Sequence, residues 1–169
     1  SKSTFLYDLA RDASTNSDNK TVIRIEGVDD ASLGALIDFI YNGDKPSALK
    51  GVEGYKKMLT LASRFEVFGL RVIMEIELTK CLDMASAFGL SCFAHAHTCA
   101  LLLEEAIAFL VEHATELKES HMEIWKEIRR DDDIMDLVEN AWVCPQVGGP
   151  SVREMYAEYV ELGKVDLFH

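Results

Sequence analysis

The chain has 169 residues, enough for one compact domain or two very small ones. Apolar residues make up 49% and charged residues 27%, the balance of a chain that folds, which excludes wholesale disorder. Its 17 basic and 29 acidic side chains leave a net charge of −12, which opposes general binding to phosphate backbones, and no apolar run reaches the roughly 18 residues of a membrane span.

The opening SKSTFLYDLA has no basic stretch leading into a long apolar one, so no secretory signal is expected. Phe5-Leu6-Tyr7 and Leu9 read as a short apolar turn, and Arg11 to Thr21 (RDASTNSDNKT) as a mobile polar loop with nothing to bury. Val22-Ile23-Arg24-Ile25 is the one convincing strand, with Ile23 and Ile25 on one face. Alone it cannot satisfy its backbone groups. Asp29, Asp30 or Ser32 can cap a helix with Leu33, Leu36, Ile37 and Ile40 on one stripe, closed by Asn42-Gly43. Lys45 to Gly51 is a turn around Pro46. From about Val52 a helix repeats Val52, Tyr55, Met58, Leu59, Ala62 and Phe65 at threes and fours.

Gly69 is expected to separate that helix from one carrying Leu70, Ile73, Met74, Glu77 and Leu78. Asp83 reads as the cap of a helix from Met84 to about Ala94. Thr98 reads as the cap of another to about His113, with Leu101, Leu102, Ala106, Phe109 and Leu110 inside. Ser120-His121-Met122-Glu123 fits a capping box, and Asp133 with Asp136 fits a second. Cys144 to Pro150 (CPQVGGP) is a linker by composition, and Ser151-Val152-Arg153-Glu154 opens a last helix ended by Gly163. The expected fold is mainly α, with one short strand ahead of about seven to eight short helices.

Cys81, Cys92, Cys99 and Cys144 form no C-x-x-C pair and lie among apolar residues, which suggests reduced thiols in an intracellular protein, cytoplasmic or nuclear. Cys92, His95, His97 and Cys99 fall close together, but where one helix hands over to the next, so adjacent helix geometry scatters them about the axis. They read as core cysteines and turn histidines rather than a zinc site. Asp131-Asp132-Asp133 reads as a solvated helix start, favoured by the dipole, and the EF-hand spacing is absent. No nucleotide-binding, nucleophile-elbow or zincin motif occurs, so neither catalysis, cofactor nor metal is expected.

The stretch VIRIEGVDDASLGALIDFIYNGDKPS, with its helix end Ile37-Asp38-Phe39-Ile40-Tyr41-Asn42-Gly43, resembles the second half of a BTB (POZ) domain. GVEGYKKMLTLASRFEVFGLRVIMEIELTKCL is similar to that family's next helix pair, through Leu59, Leu61, Ala62, Phe65, Val67 and Leu70, and SKSTFLYDL resembles the end of its preceding helix. AIAFLVEHATELKESHMEIWKEI is similar to the post-BTB extension of speckle-type POZ (MATH–BTB) proteins, so the resemblance runs over about residues 1 to 142.

The resemblance implies residues 1–82 as the C-terminal part of a BTB domain and 83–143 as a BACK-like extension, followed by linker 144–150 and helix 151–169. It implies a protein-interaction module that dimerises and serves as a substrate adaptor, joining a cullin scaffold to a ubiquitination substrate. Phe39, Tyr41, Tyr55 and Leu59 would be its interaction residues. The family's opening strand and helix and two further strands have no counterpart here, which implies N-terminal truncation and a weakened homodimer. Residues Ala10 to Asn19 lack the hydrophobic-x-Glu motif of cullin docking, so a divergent helical binding protein without a cullin is the alternative. SVREMYAEYVELGKVDL is faintly similar to a SAP-type motif, but Glu154, Glu158 and Glu161 set it against nucleic acid.

Overall fold

In a computed structural model, residues 25–43 and 50–143 are described. The apolar turn at Phe5, the loop from Arg11, residues 22–24 of the expected strand, the linker and the terminal helix lie outside them. Among the described residues there are eight helices and no strand, so the mainly α reading holds. They are α1 (Asp30–Asn42), α2 (Val52–Arg64), α3 (Phe68–Thr79), α4 (Ala87–Ala96), α5 (Ala100–Glu112), α6 (Ala114–Ser120), α7 (Met122–Ile128) and α8 (Asp132–Val143). The chain divides into two compact units, Ser1–Met74 and Glu75–His169, the division falling within α3.

In the first unit, Asp29 is the cap of α1. One carboxylate oxygen accepts the Ser32 N–H at 3.1 Å and the other the Ser32 hydroxyl at 2.8 Å. At the far end Gly43 takes a left-handed φ of 74° and donates its N–H to the Phe39 carbonyl at 2.8 Å, which stops the helix. The buried face of α1 is Ser32, Ala35, Leu36 and Phe39. The expected stripe of Leu33, Leu36, Ile37 and Ile40 is therefore corrected: only Leu36 is shared, and Ile37 is exposed. Apolar residues lie on several sides of this helix, so their period alone fits more than one stripe. Packing on α2 selects the one with the small residues Ser32 and Ala35, which let two helices approach. On α2 the buried residues are Met58, Leu59, Leu61 and Ala62, and Phe65 follows, also fully buried.

The break after α2 is not at Gly69, which lies in the first turn of α3, but at Glu66. Glu66 has φ 55°. Its N–H bonds the Ser63 carbonyl at 3.3 Å, and the Val67 N–H bonds the Ala62 carbonyl at 2.8 Å. These are the paired bonds of a Schellman C-cap, with glutamate where glycine usually stands. The same device ends α4. Thr98 has φ 55°, its N–H reaches the His95 carbonyl at 3.3 Å, and the Cys99 N–H reaches Ala94 at 2.9 Å. Thr98 therefore closes α4 rather than capping α5, whose N-cap is Cys99. In both reversals the flanking pair, Ala62 with Val67 and Ala94 with Cys99, is buried. A β-branched side chain in this region is strained. Thr98→Gly is expected to stabilise the protein by about 1 kcal/mol, read as a higher midpoint in thermal unfolding. A lower midpoint would show that the threonine side chain contributes more than its backbone strain costs.

The second unit is organised around α5, which packs against α4, α6 and α8, while α7 packs on α6 and α8. Its core joins Ala87, Ile107, Leu110, Ala114, Leu117, Trp125, Ile128, Ile134 and Val138. Asp83 accepts the Ala85 and Ser86 N–H groups at 3.0 and 2.7 Å, as a cap would, but the turn it opens becomes α-helix only at Ala87. The short α6 is absent from the sequence reading because His113 ends α5 and α6 begins at the next residue, with only Ala114 and Leu117 to mark a buried face. Two expected capping boxes are also corrected. Ser120 is the last residue of α6, so His121 precedes α7, and Glu123 pairs with Lys126 at 2.8 Å. Asp131, not Asp133, caps α8, accepting the Ile134 N–H at 3.1 Å.

Candidate interaction surface

The last turn of α1 carries two of the four expected interaction residues, and they face opposite ways. Phe39 is 5% exposed and Tyr41 is 78% exposed. Two residues on a helix differ by about 200° around its axis, so burial of one carries the other outward. Tyr41 shares its face with Ile37, 40% exposed and four residues earlier. Leu59 on α2 is fully buried and Tyr55 half-buried. The structure thus brings Phe39 and Leu59 into the interior and leaves Tyr41 at the surface. The apolar spacing of α1 places Ile37 on the expected buried stripe, and its exposure follows from the face that packs on α2.

Beside the start of α1, the Lys57 ammonium lies 2.5 Å from the Asp29 carboxylate. That bond, then those from the Ser32 hydroxyl and N–H, hold the Asp29 carboxyl well below the usual carboxylate range. Seven residues along α2, Arg64 donates from Nη1 to the Glu26 carbonyl at 2.9 Å.

In the second unit the residues singled out for zinc are dispersed. The Cys92 thiol donates to an Asp131 carboxylate oxygen at 3.6 Å, Cys99 is buried with its sulfur 3.7 Å from the His97 carbonyl, His95 is exposed, and His97 lies against Phe93. Among the described residues, no three His, Cys, Asp or Glu side chains are grouped to hold a metal ion. Cys81, Cys92 and Cys99 form no disulfide with one another, and of the three only Cys99 is buried; Cys144 lies outside the described residues. Burial, followed by the negative charge and hydrogen bond of Asp131, pushes the Cys92 thiol up to about 11 from 9.0. Its thiolate is therefore scarcer by about a hundredfold at pH 8 than that of an unperturbed cysteine. Alkylation mapped by mass spectrometry is expected to leave Cys92 unmodified while free cysteine is consumed. Labelling of Cys92 at the rate of a free thiol would contradict that geometry.

The chain's two tryptophans bracket one lysine. The Lys118 ammonium is 4.7 Å from the Trp125 ring centroid and 4.6 Å from that of Trp142. The clamp ties α6 to α7 and α8 by attraction of the charge to both ring faces. Trp142 remains 48% exposed, with exposed Val143 beside it at the end of α8.

None of the described helices is long and apolar enough to cross a membrane. No curated protein matches the chain. Over residues 1–82, the stretch that contains both the capped α1 and its exposed Tyr41, the chain matches the model of the BTB/POZ domain, a general protein–protein interaction module whose members often dimerise.

Proposed function

We propose that this chain is a docking subunit that grips a partner protein with the outward face of α1, and that the partner is the cullin scaffold of a ubiquitin ligase. The observation that carries the reading is Tyr41, 78% exposed in a helix turn whose other large aromatic is buried. An aromatic side chain held on a rigid, capped helix end loses little freedom on binding, and tyrosine is among the residues that dominate interface energies. Ile37 extends the contact. We read the buried Phe39 and Leu59 as positioning residues in the interior of the first unit, where α1 packs on α2, and Tyr55 lies half-buried on α2. We read residues 83–143 as a BACK-like extension, supported by the single core that its helices share. A ubiquitination substrate is then the second partner.

Calorimetric titration of the full chain with a cullin N-terminal domain tests this. Tyr41→Asp is expected to weaken binding at least about tenfold, the effect of removing an interface anchor, with the thermal midpoint unchanged. Equal affinity in the variant would remove α1 from the interface. If the unaltered chain itself does not bind, the alternative of a helical binding protein without cullin docking takes over. Sedimentation separates the two readings further, a dimer favouring the adaptor and a monomer the free-standing module.

A further inference from the structure

A cavity of about 230 Å³ opens in the first unit between the turn at Gly27 and one face of α2. Lys57, Thr60, Leu61 and Arg64 line it from α2 at the spacing of a single helical face, with Gly27 and Asp29 opposite. Gly27 has φ 75°, and Arg64 Nη1 lies 3.9 Å from where a side chain on that glycine would begin, so the turn and the guanidinium meet closely.

The charges in this cavity run against those of the chain. The net charge is −12, yet two cations line the cavity against one carboxylate. That carboxylate, Asp29, already accepts from the Ser32 N–H, the Ser32 hydroxyl and Lys57. An ammonium has three N–H donors and a guanidinium five. Asp29 and the Glu26 carbonyl take one bond from each, leaving the other donors for a ligand. Between the two cations, Thr60 and Leu61 supply a short aliphatic wall of a kind that suits methylene groups.

We infer that this cavity receives the carboxylate side chain of an acidic segment on a partner polypeptide, its oxygens bridging Lys57 and Arg64. This rests on the reading of the first unit as a protein-docking module and adds the chemistry of one contact. Guanidinium and ammonium donors give charge-assisted bonds to a carboxylate, and Arg64 can grip both its oxygens.

The test is an NMR titration of the full ¹⁵N-labelled chain with capped hexaglutamate, alongside hexalysine, acetate and inorganic phosphate. Hexaglutamate is expected to give saturable shifts at the Gly27 and Thr60 amides that shrink with added salt. Arg64→Gln is expected to weaken them about tenfold, the usual loss for one charge-assisted bond. Thr60→Glu places a carboxylate in the cavity from an exposed position and leaves the Asp29–Lys57 pair in place. It is expected to abolish the shifts with an unchanged melting curve. The inference is overturned if no saturable shift occurs at these amides, or if both variants bind hexaglutamate as the unaltered chain does. It is equally overturned if hexalysine, acetate or phosphate binds as tightly as hexaglutamate. Tyr41→Asp should leave these shifts intact, so failure here and failure of the α1 interface are told apart.

Discussion

Leu59→Ala is expected to destabilise the first unit by about 3 kcal/mol, whereas Tyr41→Ala is expected to leave its stability unchanged within about 0.5 kcal/mol. Leu59 has no exposed surface and lies on the face of α2 that is buried with Met58 and Ala62. Truncation removes buried methyl groups and leaves a cavity that helices pinned by the Asp29 cap and the Glu66 reversal close only partly. Tyr41 is mostly in water already, so its removal changes little within the chain. Urea unfolding followed by circular dichroism measures both. The pair separates two ways of losing a partner: Leu59→Ala acts by loosening the helix beneath the surface, and Tyr41→Ala by removing the surface itself. Equal destabilisation by both would mean that Tyr41 is packed rather than presented.

Trp125→Ala is expected to cost the second unit about 3–5 kcal/mol, enough to unfold a domain of ordinary stability. Trp125 is nearly buried and belongs to the core shared by helices α5 to α8. Its ring also forms one side of the Lys118 clamp, so truncation leaves the ammonium with Trp142 alone. Trp125→Phe keeps an aromatic face for the lysine and most of the buried volume, and should recover more than half of the loss. Only two tryptophans are present, so fluorescence of Trp125→Ala reports Trp142 alone. Its emission should move toward that of a fully hydrated indole. A Trp125→Ala protein with the unfolding curve of the unaltered chain would show that this cluster does not hold the unit together.

The parts of the fold legible in sequence were those governed by local periodicity. α2 and α5 follow their apolar spacing almost to the residue, and the Gly43 stop follows from glycine's tolerance of a left-handed backbone. The parts that escaped share a different cause. Glu66 and Thr98 take the conformation usually left to glycine, and no side-chain pattern announces that; buried residues on either side hold them there. Asp131 could not be chosen over Asp133 as the α8 cap, because three successive aspartates offer the same chemistry. Its bond to Cys92 and the Lys118 clamp join residues far apart in the chain.

For the interaction surface, the motif Phe39-Ile40-Tyr41-Asn42-Gly43 locates the helix end, and helix geometry requires that Phe39 and Tyr41 diverge. Which of the two faces inward depends on how α1 lies on α2, and that choice is made by tertiary packing. The cavity between Lys57 and Arg64 was equally hidden. Its α2 face has a readable helical spacing, but the opposing turn at Gly27 is brought to it only by the fold.

The proposed function requires that a partner docks on the outward face of α1. Hydrogen–deuterium exchange of the full chain, with and without a bound cullin N-terminal domain, addresses it directly. Exchange is expected to slow over Ile37 to Gly43 on binding, and not to slow there when Tyr41→Asp is mixed with the same domain. Protection confined to other helices, with Ile37 to Gly43 exchanging as fast as in the free chain, would contradict it.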